Sequence, residues 1–201
     1  KKKKKKKKMI IISPKKPEIS LLGVLRKYKN IEVLINAFYK SELYPIANLL
    51  IVGKCNDELY FKDLERKAAE KDIKIVNKFI PDEELVDYIE YADAMILPYD
   101  LQSSLNSASI ILSFSYARTV VAPNIGTLKD MKNENFYYAY EYTDGDKYDH
   151  ERQLIETLNR VKRDYERDRL ILKKKGKEAF EYVQKYYSWD KLTEKIATLY
   201  K

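Results

Sequence analysis

Two short stretches of this sequence hold side chains suited to gripping an anion. In GVLRKYKN, residues 23–30, Arg26, Lys27 and Lys29 crowd the approach to a helix. The dipole at a helix start favours negative charge, so these cations are misplaced unless solvent bathes them or an anion draws them together. In LNSASIILSFSYARTVVAP, residues 105–123, an apolar helix opens on Asn106, Ser107, Ala108 and Ser109. A helix start carries backbone N–H groups without intrahelical partners, and so little side-chain bulk would admit a phosphate to them. A serine N-cap would by itself explain Ser107. Set across one sheet edge, the two stretches would form a diphosphate clamp.

Other chemistry finds less support. The sequence contains neither a G-x-x-x-x-G-K-S/T loop nor a G-x-G-x-x-G fingerprint, which argues against ATP hydrolysis and nicotinamide chemistry. Cys55 and His150 are each the sole residue of their type and stand far apart, a poor basis for a thiol nucleophile. The Asp-Gly-Asp at 144–146 has metal-binding spacing, but Asp-Gly is also ordinary turn chemistry. The 18 tyrosines fall mostly at core-like spacing, and Trp189 opens a helix as a packing anchor. No metal is expected.

The elements that would position the clamp alternate along the chain. Strands are predicted at 19–25, 47–53, 73–80, 94–99, 119–124 and 136–142. Helices are predicted at 29–41, 57–72 and 81–92, from Ser107, at 149–165, at 168–186, and in the terminal YSWDKLTEKIATLY. Repeated β-α units argue for an α/β fold: a Rossmann-like parallel sheet with helices on both faces, followed by C-terminal helices. Only five glycines occur, and Gly23, Gly53 and Gly126 fall within or just beyond apolar runs. Those are the carboxyl ends of strands, where open parallel sheets bind ligands.

Charge narrows the partners. Of 39 basic residues, the eight at positions 1–8 are consecutive lysines, leaving 31 against 31 acidic ones. A neutral body speaks against a nucleic-acid binder. The lysine run reads as a tail outside the fold, an appended tag or a placeholder for residues of uncertain identity, ahead of an electrostatic anchor that touches an anionic membrane surface. A lone cysteine fits a reducing, cytoplasmic setting, with contact at the inner membrane face left open by the tail.

LLGVLRKYKNIEVLINAF, NLLIVG, FIPDEELVDYIEYADAMILPY, NSASIILSFSYARTVVAPNIGTLKD and YSWDKLTEKIATLY resemble, in that order, segments of group 1 (family 4) glycosyltransferases of the bacterial surface-polysaccharide type. The resemblance implies the C-terminal half of a GT-B fold. Residues 20–201 would form the nucleotide-sugar-binding domain, and residues 1–19 a basic tail and remnant of the inter-domain connection. It implies sugar transfer from a nucleotide-diphosphate donor to a glycan or lipid-linked acceptor, without a cofactor, in concert with a missing N-terminal domain. Arg26 and Lys29 match the basic pair that neutralises the donor diphosphate, and Ser107-Ala108 a Ser-Gly pair that cradles it. Asp130 matches an acidic position near the sugar, and Phe79-Ile80 a segment beside the base. Gly23, Gly53 and Ser109 complete the expected donor site. The pattern also departs from the family. Ser104 and Leu112 stand where many members carry two glutamates, and Ala117-Arg118-Thr119 stands for Gly-x-Pro. A non-catalytic nucleotide-sugar-binding module is therefore the alternative reading.

Overall fold

The computed structural model describes residues 16–102, 107–131, 135–187 and 193. Among them β1 (Glu18–Leu22), β2 (Asn48–Gly53), β3 (Lys74–Asn77), β4 (Ala94–Ile96), β5 (Thr119–Pro123) and β6 (Tyr138–Tyr140) form one parallel sheet. Every residue of β1, β4 and β5 is buried, as parallel strands covered on both faces require. The helices are α1 (Ile31–Lys40), α2 (Glu58–Ala69), α3 (Asp82–Tyr91), α4 (Ala108–Ser115), α5 (Gly126–Lys129), α6 (Lys147–Arg167) and α7 (Ile171–Tyr186). Helices α1, α2 and α6 share a core with Ile19, Leu21 and Ile51, while α3, α4, α5 and α7 share the opposite one with Leu22, Val52 and Met95. In α1 the predicted stripe of Ile31, Leu34, Ile35 and Phe38 is buried.

The strand order is β3-β2-β1-β4-β5-β6. The chain steps outward from β1 to β3, then returns to the other flank of β1 as β4. Connections leaving the carboxyl ends of β1 and β4 therefore diverge, and that switch point opens a crevice in such sheets. GVLRKYKN follows β1 and the segment leading to Ser107 follows β4, so both halves of the expected clamp leave the same point.

Several strands stop earlier than the apolar pattern suggests. β1 ends at Leu22 because Gly23 turns the chain at φ 105. β4 ends at Ile96, and the Tyr99 N–H folds back onto the Leu97 carbonyl at 2.8 Å. Asn30 takes φ 47 and divides a 3-10 turn, Lys27–Lys29, from α1, which shortens the predicted helix. α5 and the 3-10 turn Tyr44–Ile46 were too short for periodicity to reveal. The Asp-Gly-Asp stretch is a turn and a cap: Gly145 takes φ 76, and the Asp146 carboxylate accepts the N–H groups of Tyr148 and Asp149. Trp189, Ser104 and the lysine tail lie outside the described residues. Among the described residues no helix is long and apolar enough to cross a membrane.

Ala117 stands at one departure from the expected Gly-x-Pro, in a conformation that favours glycine. It ends the α4 segment with φ 54, a left-handed conformation that costs a residue with a Cβ about 1–2 kcal/mol. Its carbonyl faces Gly176 in α7, where a Cβ would stand 2.0 Å from the oxygen. Ala117→Gly is expected to stabilise the protein by about 0.5–1 kcal/mol, the strain relieved exceeding the chain entropy added. The check is a higher urea midpoint with an unchanged slope.

Candidate functional site

Lys29 is the unusual residue of the crevice. It closes the 3-10 turn after β1, and only 6% of its surface is exposed. Gly23 makes room for it, since a Cβ there would lie 3.3 Å from Nζ. The ammonium sits over the Tyr99 ring, 5.6 Å from its centroid. Burial, with the Arg26 charge beside it, pushes Lys29 down to about 8. No carboxylate offsets that cost: among the described residues neither Arg26 nor Lys29 joins an ion pair. Arg26 is exposed and extends before the turn. An unpaired, desolvated cation is costly, and an anion beside it would offset that cost.

The facing wall comes from the segment after β4. Burial raises the Tyr99 phenol, and the hydroxyls of Ser109 and Ser107 beside it pull it partly back. One tyrosine thus spans the distance from Lys29 to the start of α4. Ser107 is the N-cap, 7% exposed, and its hydroxyl caps nothing in the helix. One N–H that the sequence reading left free is taken: Ser107 donates to Thr127 Oγ1 at 2.9 Å. The N–H groups of Ala108 and Ser109, in the first helical turn, stand outside the helix ladder.

The two walls are stitched together. Asn30 Nδ2 donates to the Pro98 carbonyl at 3.2 Å, and the Asp100 N–H to the Tyr28 carbonyl at 2.8 Å. On the β2 side, the Gly23 N–H donates to Val52 O at 3.1 Å and the Leu25 N–H to Lys54 O at 2.9 Å. Gly53 lies directly under this turn, where a Cβ would fall 1.7 Å from the Gly23 oxygen. Its lack of a side chain is thus explained by the packing of two backbones.

The remaining predicted residues stand farther out. Phe79 follows β3 at the same carboxyl edge and is 71% exposed, while Ile80 packs half-buried against the α3 side. Asp130 closes α5, exposed, and its field falls on the Tyr187 phenol. A cleft of about 470 Å³ opens beside Tyr28 and Asp100, walled by Tyr60, Glu32 and Lys147. A larger one, about 640 Å³, lies at the β6 edge. There Arg160 donates to the Ala139 carbonyl at 2.8 Å, Lys175 bonds the Asn135 carbonyl, and Tyr138 bonds Asp164 at 3.1 Å. Two of its cations, Arg160 and Lys175, are thus committed to the fold.

The family model of glycosyl transferases group 1 matches residues 2–110, more than half of the sequence. The chain belongs to the group 1 glycosyltransferases. Solved structures agree on the fold. The C-terminal domain of a group 1 family glycosyl transferase (LpcC) from Francisella tularensis superposes with a TM-score of 0.68 at 16% identity, over 88% of each chain. The catalytic domain of cholesterol-alpha-glucosyltransferase from Helicobacter pylori gives 0.57 at 20% identity, over 83% of this chain and 98% of that one. Anabaena Alr3699/HepE in complex with UDP gives 0.69 at 14% identity, over 92% of this chain and 48% of that one. This glycosyltransferase chain therefore spans about half the length of the Anabaena protein. No curated protein matches it.

Two residues of this glycosyltransferase escaped the sequence reading. Tyr99 passed as the last residue of a strand, and the proline before it was the one sign that the strand had ended. Thr127 gave no signal, because a hydroxyl that meets an amide 20 residues away is a fact of folding alone.

Proposed function

We propose that this domain binds the diphosphate of a nucleotide sugar at the switch point and stabilises it as the leaving group of glycosyl transfer. The carrying observation is Lys29, a buried cation with no ion-pair partner among the described residues, seated over the Tyr99 ring whose hydroxyl meets Ser107 and Ser109. As the bond from sugar to phosphate breaks, negative charge builds on the departing diphosphate. Fixed cations and N–H groups already aimed at that charge lower the barrier without reorganising. Lys29 and Arg26 supply the positive charge in this reading, and Ala108 and Ser109 the N–H groups. Phe79 and Ile80 border the base, and Asp130 meets the sugar, an assignment that rests on the family resemblance.

Related proteins support the donor class. The Anabaena protein was solved with UDP and with UDP-glucose, and starch synthase IV of Arabidopsis thaliana with ADP. The acceptor, a glycan or lipid-linked glycan, and any base that deprotonates it would come from a second domain of the kind that makes up the rest of the Anabaena chain. Bacterial surface-polysaccharide assembly at the inner membrane face is the setting that this reading favours.

Thermal melting tests the proposal. UDP, GDP or ADP at 100 times its dissociation constant adds about 2.7 kcal/mol, a rise of about 5–10 °C for a domain of this size. Inorganic pyrophosphate should give a smaller rise. A melting temperature indifferent to all three nucleotides would overturn the reading.

A further inference from the structure

Tyr142 takes no part in the proposed donor site, yet it is bonded to the loop that carries it. The segment from Pro98 to Leu101 leaves β4 at the switch point and brings Tyr99 under Lys29. From the β1 side it is held by Asn30 and by the Tyr28 carbonyl. From the far side Tyr142 Oη donates to the Tyr99 carbonyl at 3.1 Å, and the Leu101 amide lies against the same oxygen. One phenol thus bridges both flanks of Asp100.

The phenol is itself held in place. Its ring lies flat on the His150 imidazole, with centroids 3.9 Å apart and planes 4° from parallel. His150 is 2% exposed and its Nε2 is 2.9 Å from Tyr140 Oη. Tyr140 ends β6, and His150 lies in the first turns of α6, behind the Asp146 cap. Burial holds the imidazole neutral against the fields of Asp100 and Asp149. The stack is therefore a rigid, uncharged shelf joining β6 and α6 to a loop two strands away.

We infer that Tyr142, seated on His150, is a positioning residue for the donor diphosphate. It fixes the Tyr99 backbone so that the Tyr99 ring keeps Lys29 and the Ser107 and Ser109 hydroxyls on one centre. The inference rests on the donor reading above. It extends that reading to a residue that touches neither phosphate nor sugar.

The test uses the whole chain, UDP as probe, and two conservative variants. Tyr142→Phe keeps the ring on His150 and deletes the oxygen. Its Leu101 amide should exchange with solvent at least fivefold faster, and UDP should bind at least fivefold more weakly. Tyr140→Phe removes the other phenol of the stack, which holds His150 but does not reach the loop, and should change both quantities less than Tyr142→Phe does. Unchanged exchange and affinity in Tyr142→Phe overturn the inference, as do equal losses of affinity in both variants. A wild-type chain that ignores UDP overturns the donor reading and this role with it. Unchanged Leu101 exchange in a UDP-binding chain overturns this role alone.

Discussion

With Arg26 and Lys29 both replaced by alanine, UDP is expected to leave the melting temperature where it was. A hydrogen bond to a charged group contributes about 1.5–3 kcal/mol, and the double variant removes two cations from one ligand. Affinity should fall by at least about 100-fold, beyond the reach of a melting shift at millimolar nucleotide. A double variant that still responds to UDP would sink the site. Lys29→Met separates binding from folding. The empty protein should gain on the order of 2 kcal/mol, because a cation whose ionisation is depressed to about 8 is replaced by an apolar chain of similar length. Part of that gain is offset by the lost contact with the Tyr99 ring. The variant should therefore melt higher when empty and bind worse, an opposition expected at a functional site and not in a core.

Gly53→Ala should be among the most damaging single substitutions in the sheet. The new Cβ would fall 1.7 Å from the Gly23 oxygen, 2.7 Å from its carbonyl carbon and 3.1 Å from Leu25 Cδ2. Two of these atoms are backbone, so β1 or its turn must move. A loss of more than about 3 kcal/mol is expected, or roughly 6–12 °C of melting temperature. Because Gly23 lodges Lys29, any protein that still folds should also lose its response to UDP. Gly145→Ala is the control. Its Cβ meets nothing within 4 Å, so only the strain of φ 76 is added, about 1 kcal/mol. A Gly53→Ala protein melting within 2 °C of the wild type would show that the turn is more yielding than its packing implies.

The layered fold was legible because its signals are local. Apolar runs such as NLLIVG and the 3.6-residue stripe of α1 need no knowledge of neighbours. That these residues share one sheet edge was legible for a similar reason: Arg26 and Lys29 follow one run directly, and Ser107 follows another after a short gap. What could not be read was the state of each group. Lys29 lies in a polar turn, and its burial depends on Tyr99, 70 positions away in sequence. Gly53 reads as a ligand-facing glycine until the Gly23 carbonyl is seen above it. Ser107 reads as a free helix tip until Thr127 meets its amide. Each miss was a contact across the fold, which residue type and spacing do not encode.

An arriving diphosphate would bring Lys29 the negative neighbour it lacks and return its acidity toward that of an ordinary lysine. Around pH 8, where the empty pocket holds only part of its hydrogen ions, complex formation must then draw more from solution. Part of the measured heat belongs to whatever buffer releases them, so calorimetry in Tris and in HEPES, neither of them a phosphate, would record different enthalpies for one event. Grip on the donor should slacken in alkali.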